Sequence, residues 1–156
     1  MDTWFSNGTE IVFACGGGIY SSAAEAAQKV GGKVVGVDVD QAATIDGLYG
    51  DGMTVTSAMK GLAPTVQTML DVVAAGDFAS YGGQIDNLGL VSETPADNYV
   101  QLAGSTQFDE NFTEDDYNAL VADMYNGVIT VNNDTGAAAA DFATVITVND
   151  QGSVKG

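Results

Sequence analysis

Two stretches constrain the fold of this chain more than any others: Ile11-Val-Phe-Ala-Cys-Gly-Gly-Gly18 and Gly36-Val-Asp-Val-Asp-Gln41. An apolar run ends in three glycines, a helix-forming segment follows, and a second apolar run ends in carboxylates. Short apolar runs bounded by turn residues read as buried strands. Residues 11–14 form the first strand and Lys33–Asp38 the second. Between them, Ser21 or Ser22 can cap a helix whose small-residue face is Ala23, Ala26, Ala27 and Val30, and Gly31-Gly32 ends it. This is a βαβ unit, and its crossover is expected to be right-handed. Both polar tips then share the carboxyl edge of a parallel sheet, where α/β proteins bind small molecules.

Residues 42–52 read as a loop with Gly47, Gly50 and Gly52, and 53–57 as a short strand. Residues 62–75 give the clearest helix. Leu62, Val66, Met69, Leu70 and Val73 recur at three- and four-residue spacing, Pro64 sits in the first turn, and Gly76 stops it. A glycine-rich loop over 76–86 and a strand over 88–91 are expected next. Thr113 then caps a helix with Glu114, Asp115 and Asp116 at its positive end and Tyr117, Leu120, Val121 and Met124 as its buried stripe. Gly127 ends that helix. Strands are expected over 128–131 and 143–148, with a loose stretch over 133–140. No linker or charge block divides the chain, so 1–156 reads as a single α/β domain: a three-layer βαβ sandwich on a mostly parallel sheet.

The charge balance narrows the partners. Net charge is −17, with four lysines, no arginine and no histidine. Phosphate recognition leans on Arg and Lys, so nucleic acid is a poor partner. Without histidine the commonest general base and metal ligand is missing. Cys15 is the lone cysteine, which excludes an internal disulfide and a CxxC metal pair; it reads as a small buried hydrophobe. No apolar run reaches the roughly 18–20 residues of a membrane span. The first residues lack the basic start and apolar core of a signal peptide, and the chain enters its first strand almost at once, as an excised piece would.

The candidate site residues cluster on the expected carboxyl edge. Gly17 and Gly18 let a ligand approach the backbone and offer N–H groups at a helix start, although a plain tight turn would use the same residues. Asp38 and Asp40 can accept hydrogen bonds from adjacent hydroxyls, or simply cap a loop. A metal role for this D-x-D pair lacks an identifiable third oxygen ligand. Lys60, in Thr56-Ser57-Ala58-Met59-Lys60, precedes a helix, where its charge gains nothing from the dipole. It is either a ligand group or a solvated lysine. Tyr20 and Tyr81 offer rings for stacking, with ordinary packing as the alternative. Trp4 and Phe5 read as packing residues at the start of the domain.

In combination these segments resemble the basic membrane protein family of substrate-binding lipoproteins, which includes purine nucleoside receptors of ABC transporters. The glycine-ended strand, Val35-Gly-Val-Asp-Val-Asp-Gln41 and Thr56-Ser57-Ala58-Met59-Lys60 match in order. Weaker echoes are Gly82-Gly83 before Leu88-Gly-Leu90 and the helix-and-strand segment over 112–131. The resemblance spans roughly residues 4–135. It implies a lobe of a type I periplasmic-binding protein, with this chain as the C-terminal portion of a two-lobed receptor about twice as long. It also implies an extracytoplasmic, membrane-anchored location, an ABC permease as partner, no enzymatic activity and no cofactor. By position, Asp38 would accept from ribose hydroxyls and pair with Lys60, Lys60 would bind sugar or base acceptors, and Gly17 and Gly18 would approach the ligand. Where family members often read Gly-Gly-Thr-Gly, this chain reads Gly-Gly-Gly-Ile-Tyr, so Tyr20 is a candidate to reshape the pocket. An isolated lobe would self-associate through the surface its partner lobe normally covers.

A dinucleotide fold is the rival reading. Gly16 and Gly18 meet the first two positions of G-x-G-x-x-G, Ser21 stands at the third, and Asp38 or Asp40 could serve the ribose. That would make the chain the nicotinamide-binding half of an oxidoreductase, although no second half with a catalytic base is evident.

Overall fold

The computed structural model describes residues 1–132, 134 and 136–152. A short helix α1 (Asp2–Ser6) leads into β1 (Ile11–Phe13). One 3-10 turn over Gly17–Ile19 then runs directly into α2 (Tyr20–Gln28), followed by β2 (Lys33–Asp38), α3 (Ala42–Tyr49) and β3 (Thr54–Lys60). The remaining elements are α4 (Leu62–Ala74), α5 (Phe78–Tyr81), β4 (Val100–Leu102) and α6 (Glu114–Tyr125).

The four strands form one sheet in the order β1-β2-β3-β4, with β1, β2 and β3 parallel and β4 antiparallel to β3. The mostly parallel α/β architecture expected from the two apolar runs is therefore present. Register places Ile11 beside Lys33 and Asp38 beside Met59, with a shift between Val34 and Val35. Three parallel strands leave Phe13, Asp38 and Lys60 as strand ends at one edge.

The core lies on one face of the sheet. Ala23, Ala24, Ala26 and Ala27 of α2 are all buried against Val12, Val34, Ile45 and Met53. A face built from alanine lets the helix backbone sit close to the strands, where larger side chains would overpack. Phe5 of α1 closes the lower end of this layer, and its ring occupies the space a side chain at Gly32 would need. Gly31, at φ 72°, turns the chain out of α2 so that the Gly32 N–H reaches the Ala27 carbonyl at 3.0 Å.

The second face is only partly covered. Ile11 and Phe13 of β1 are 48% and 51% exposed, and α6 shields the sheet chiefly through buried Val121 and through Tyr117, whose hydroxyl accepts the Leu102 N–H at 2.9 Å. Among the described residues, the third layer of the expected sandwich is thus represented by α6.

Other expectations need correction. Ser21 and Ser22 lie inside the first turn of α2 rather than at its cap, and the Ser21 hydroxyl donates to the Gly18 carbonyl at 3.2 Å. Val30 is outside the helix and exposed. The expected loop over 42–52 contains α3, because complete burial of Ile45 outweighs the cost of Gly47 in a helix. The loop over 76–86 contains α5. No strand forms over 88–91, 128–131 or 143–148. In the first of these the Asn98 side chain takes the Val91 and Ser92 N–H groups at 2.6 and 2.9 Å, replacing a ladder. Helix α4 is amphipathic as expected yet has no buried residue: Leu62, Val66, Leu70 and Val73 are all exposed. Of the stretch over 133–140, positions 133 and 135 lie outside the described residues.

Candidate functional site

The glycine turn, Asp38 and Lys60 meet at the carboxyl edge. After β1, the Gly16 N–H closes back on the Ala14 carbonyl at 2.8 Å, and Gly17 takes a left-handed φ of 51°. A side chain at Gly17 would point toward Asp38, reaching 4.0 Å from Oδ2. The open space above the turn is therefore space the Asp38 carboxylate also faces. The N–H groups at the start of a helical run have no acceptor within it, so Gly17 and Gly18 present donors there.

Asp38 is the last residue of β2 and, among the described residues, the one non-glycine with positive φ, at 72°. The Val39 N–H reaches back to the Val37 carbonyl at 2.9 Å. The two observations define a γ-turn centred on Asp38 in its rarer, positive-φ form. Such a conformation costs on the order of 1–3 kcal/mol and persists where the surroundings over-determine it, characteristically at ligand sites.

Gln41 supplies much of that over-determination. Its Oε1 accepts the Val37 N–H at 2.9 Å, its Nε2 donates to the Gly17 carbonyl at 3.3 Å, and its backbone N–H donates to the Ser57 hydroxyl at 3.1 Å. Gln41 thereby ties the end of β2 to the glycine turn through its side chain and to β3 through its backbone N–H. Gly36 makes room for it: a Cβ there would lie 2.5 Å from Ser57 Oγ and 2.9 Å from Gln41 Oε1. Gln41 was visible in sequence only as the last letter of the acidic motif. The signal for its role was Gly36, a glycine in the middle of a valine strand, which marks a close approach.

Lys60 ends β3, and its ammonium lies 2.5 Å from Asp38 Oδ1. That oxygen is shielded from solvent, and among the described residues the ammonium is what faces it. Hydrogen bonding to Asp38, then its negative charge, holds the Lys60 ammonium above its ordinary pKa of 10.5 against a smaller opposing effect of desolvation; Cys15 adds to the rise. The Lys60 side chain is 61% exposed and that of Asp38 33%, so the pair is half in solvent and still able to meet a ligand.

The other candidates are placed differently. Asp40 Oδ1 accepts the Ala42 N–H at 3.1 Å and the Ser105 hydroxyl at 2.7 Å, so it opens α3 and anchors a distant loop. Tyr20 packs against the alanine core, which is the packing alternative rather than a stacking role. Tyr81 lies exposed on α5. Phe5 is buried while Trp4 remains half exposed. Cys15 is exposed, contrary to its expected burial, because it sits at the centre of the turn that brings the Gly16 N–H back to the carbonyl of buried Ala14. It borders an apolar groove of about 350 Å³ on the second face of the sheet, with Phe13, Val37, Lys60, Leu102 and Val121 among its walls. Among the described residues no group of three or more metal-ligating side chains converges, and no helix is long and apolar enough to cross a membrane.

Comparison with family models finds no match, and comparison with curated proteins finds none.

This edge offers hydrogen-bond acceptors and donors together. A carboxylate oxygen and an ammonium stand side by side, and glycine N–H groups face the same space. Such a set suits a neutral ligand with adjacent hydroxyls. The carboxylate can accept two of them in charge-assisted bonds, and the ammonium can donate to a ring or ether acceptor.

Proposed function

We propose that this chain forms one wall of a nucleoside-binding cleft. In this reading it is the C-terminal portion of a two-lobed, non-enzymatic solute-binding lipoprotein, held at the outer face of the cell membrane and serving an ABC permease. The observation that carries the reading is the strained γ-turn at Asp38, which sets one carboxylate oxygen against Lys60 and the other toward Gly17. A ribose offers the adjacent hydroxyls that such a carboxylate accepts. The purine preference rests on the resemblance of the glycine turn and the two flanking motifs to purine nucleoside receptors.

Calorimetric titration with inosine, adenosine, guanosine and cytidine tests this. Binding of at least one is expected when the facing lobe is present. Demonstrably folded protein that binds none of the four sinks the reading.

A nicotinamide dinucleotide is the second reading. It is favoured by the position of Asp38 at the end of β2, one βαβ unit after a glycine turn. Fluorescence titration with NADH separates the two, since a micromolar response would favour the dinucleotide and silence the nucleoside.

The uncovered apolar surfaces support an interaction role. The apolar stripe of α4 is exposed and the second face of the sheet is only partly covered, and larger exposed apolar patches mark interaction sites. Alone, the chain is expected to self-associate, and sedimentation that finds a clean monomer at high concentration would contradict that.

A further inference from the structure

Asn7-Gly8-Thr9 and Asn111-Phe112-Thr113 each place a threonine two residues after an asparagine, with no proline between. That is the acceptor pattern for N-linked glycosylation, which requires an exposed asparagine on a chain that reaches an extracytoplasmic compartment. A third instance, Asn133-Asp134-Thr135, has its first and last residues outside the described set.

Both described asparagines are exposed and lie on turns. Asn7 follows the last residue of α1, and Gly8, at φ 94°, swings the chain away toward β1. Among the described residues the Asn7 side-chain amide makes no hydrogen bond. Asn111 lies in the loop before α6, and its amide has one long contact, 3.5 Å to Asp109 Oδ2. Neither amide would lose a structural bond on modification beyond that one.

Their place in the fold is the second observation. Asn7 precedes β1, at the amino edge of the sheet. Asn111 follows Gln107, whose side chain bonds Lys33 at the start of β2 and the Gly52 carbonyl just before β3, again at the amino edge. Asp38, Lys60 and the glycine turn occupy the carboxyl edge. A saccharide on either asparagine would project from the end of the domain away from the candidate cleft.

We infer that Asn7 and Asn111 are acceptor sites for N-linked saccharide. The donor class is a saccharide joined through phosphate to a lipid carrier. The asparagine Nδ2 forms a bond to the anomeric carbon, that carbon's bond to the phosphate oxygen breaks, the amide gives up one proton, and the lipid phosphate leaves. The Thr9 hydroxyl has no partner among the described residues. The Thr113 hydroxyl instead donates to Asp116 Oδ2 at 2.7 Å and accepts the Asp116 N–H at 3.2 Å.

The inference rests on the extracytoplasmic location contained in the proposed function, and its test separates the two. The full protein is isolated from the cells that make it after labelling with a membrane-impermeant reagent. Peptides bearing Asn7 and Asn111 are then weighed by mass spectrometry. Saccharide mass is expected on both peptides and is lost site by site in Asn7→Gln and Asn111→Gln, with the circular dichroism of each variant unchanged. Surface-labelled protein with both asparagines bare overturns the inference and leaves the nucleoside reading intact. Glycosylated protein that binds no nucleoside supports the inference while removing that reading.

Discussion

Lys60 Nζ lies 2.5 Å from Asp38 Oδ1, so the last residues of two neighbouring parallel strands are joined by a charge pair beside the glycine turn. The pair raises the Lys60 pKa above 10.5. The folded protein therefore holds that proton more tightly than the unfolded chain does. The stabilisation is complete below pH 10.5 and is lost as pH rises through the higher folded value. Lys60→Met should flatten the alkaline limb of a stability-against-pH curve measured by urea unfolding. The effect should shrink in salt, since the lysine is largely exposed. Identical alkaline limbs for the variant and the parent protein would contradict the pairing.

The backbone at Asp38 makes a separate prediction. A Cβ at φ 72° costs roughly 1–2 kcal/mol that glycine avoids. Asp38→Gly should thus be more stable than Asp38→Ala by about 1 kcal/mol, although both remove the carboxylate. Equilibrium urea unfolding compares them directly, and coincident midpoints would argue against the γ-turn.

Gly36 and Gly18 should respond in opposite ways to alanine. At Gly36 the new methyl meets Ser57 Oγ at 2.5 Å and displaces Gln41, so a loss of about 1–3 kcal/mol is expected. At Gly18 nothing lies within 4 Å of the added carbon, so stability should change by less than about 0.5 kcal/mol. Ligand binding should nevertheless weaken at Gly18, where a side chain stands between backbone and ligand. Paired unfolding and calorimetric measurements distinguish the two positions.

Thr113 and Asp116 form a reciprocal capping box at the start of α6. Thr113→Ala should cost about 1 kcal/mol. Hydrogen bonds from the Thr113 hydroxyl and then its backbone N–H hold the Asp116 carboxyl below its ordinary 3.8. This contribution is present above pH 3.8 and is lost as pH falls through the lower folded value. The variant's unfolding curve should accordingly show a weaker acid limb than that of the parent protein.

Much of the βαβ unit was legible in sequence because its signals agree. Valines over Lys33–Asp38, alanines at one helical face and glycines at both ends point to the same structure. Asp38, Lys60 and Gly17 could be chosen from the sequence, but their meeting depends on β2 and β3 pairing in parallel with Asp38 beside Met59. The left-handed turn at Asp38 was not legible, since neither its sequence neighbours nor its residue type demands positive φ. Helix α3 was hidden by Gly47 and Gly50, whose turn signal is local, whereas burial of Ile45 is a tertiary effect. The apolar runs over 88–91 and 128–131 failed as strands for the opposite reason. They carry strand-forming residues but find no partner strand, and β4 forms instead over Val100–Leu102, beside β3.

The central claim is that Asp38 holds ribose hydroxyls. Its most direct measurement is calorimetric affinity for a purine nucleoside in the two-lobed protein and in its Asp38→Ala variant, with folding of both confirmed. Loss of charge-assisted hydrogen bonds should cost on the order of 2–4 kcal/mol, roughly 30- to 1,000-fold in affinity. An Asp38→Ala protein that binds the nucleoside as tightly as the parent would contradict the claim.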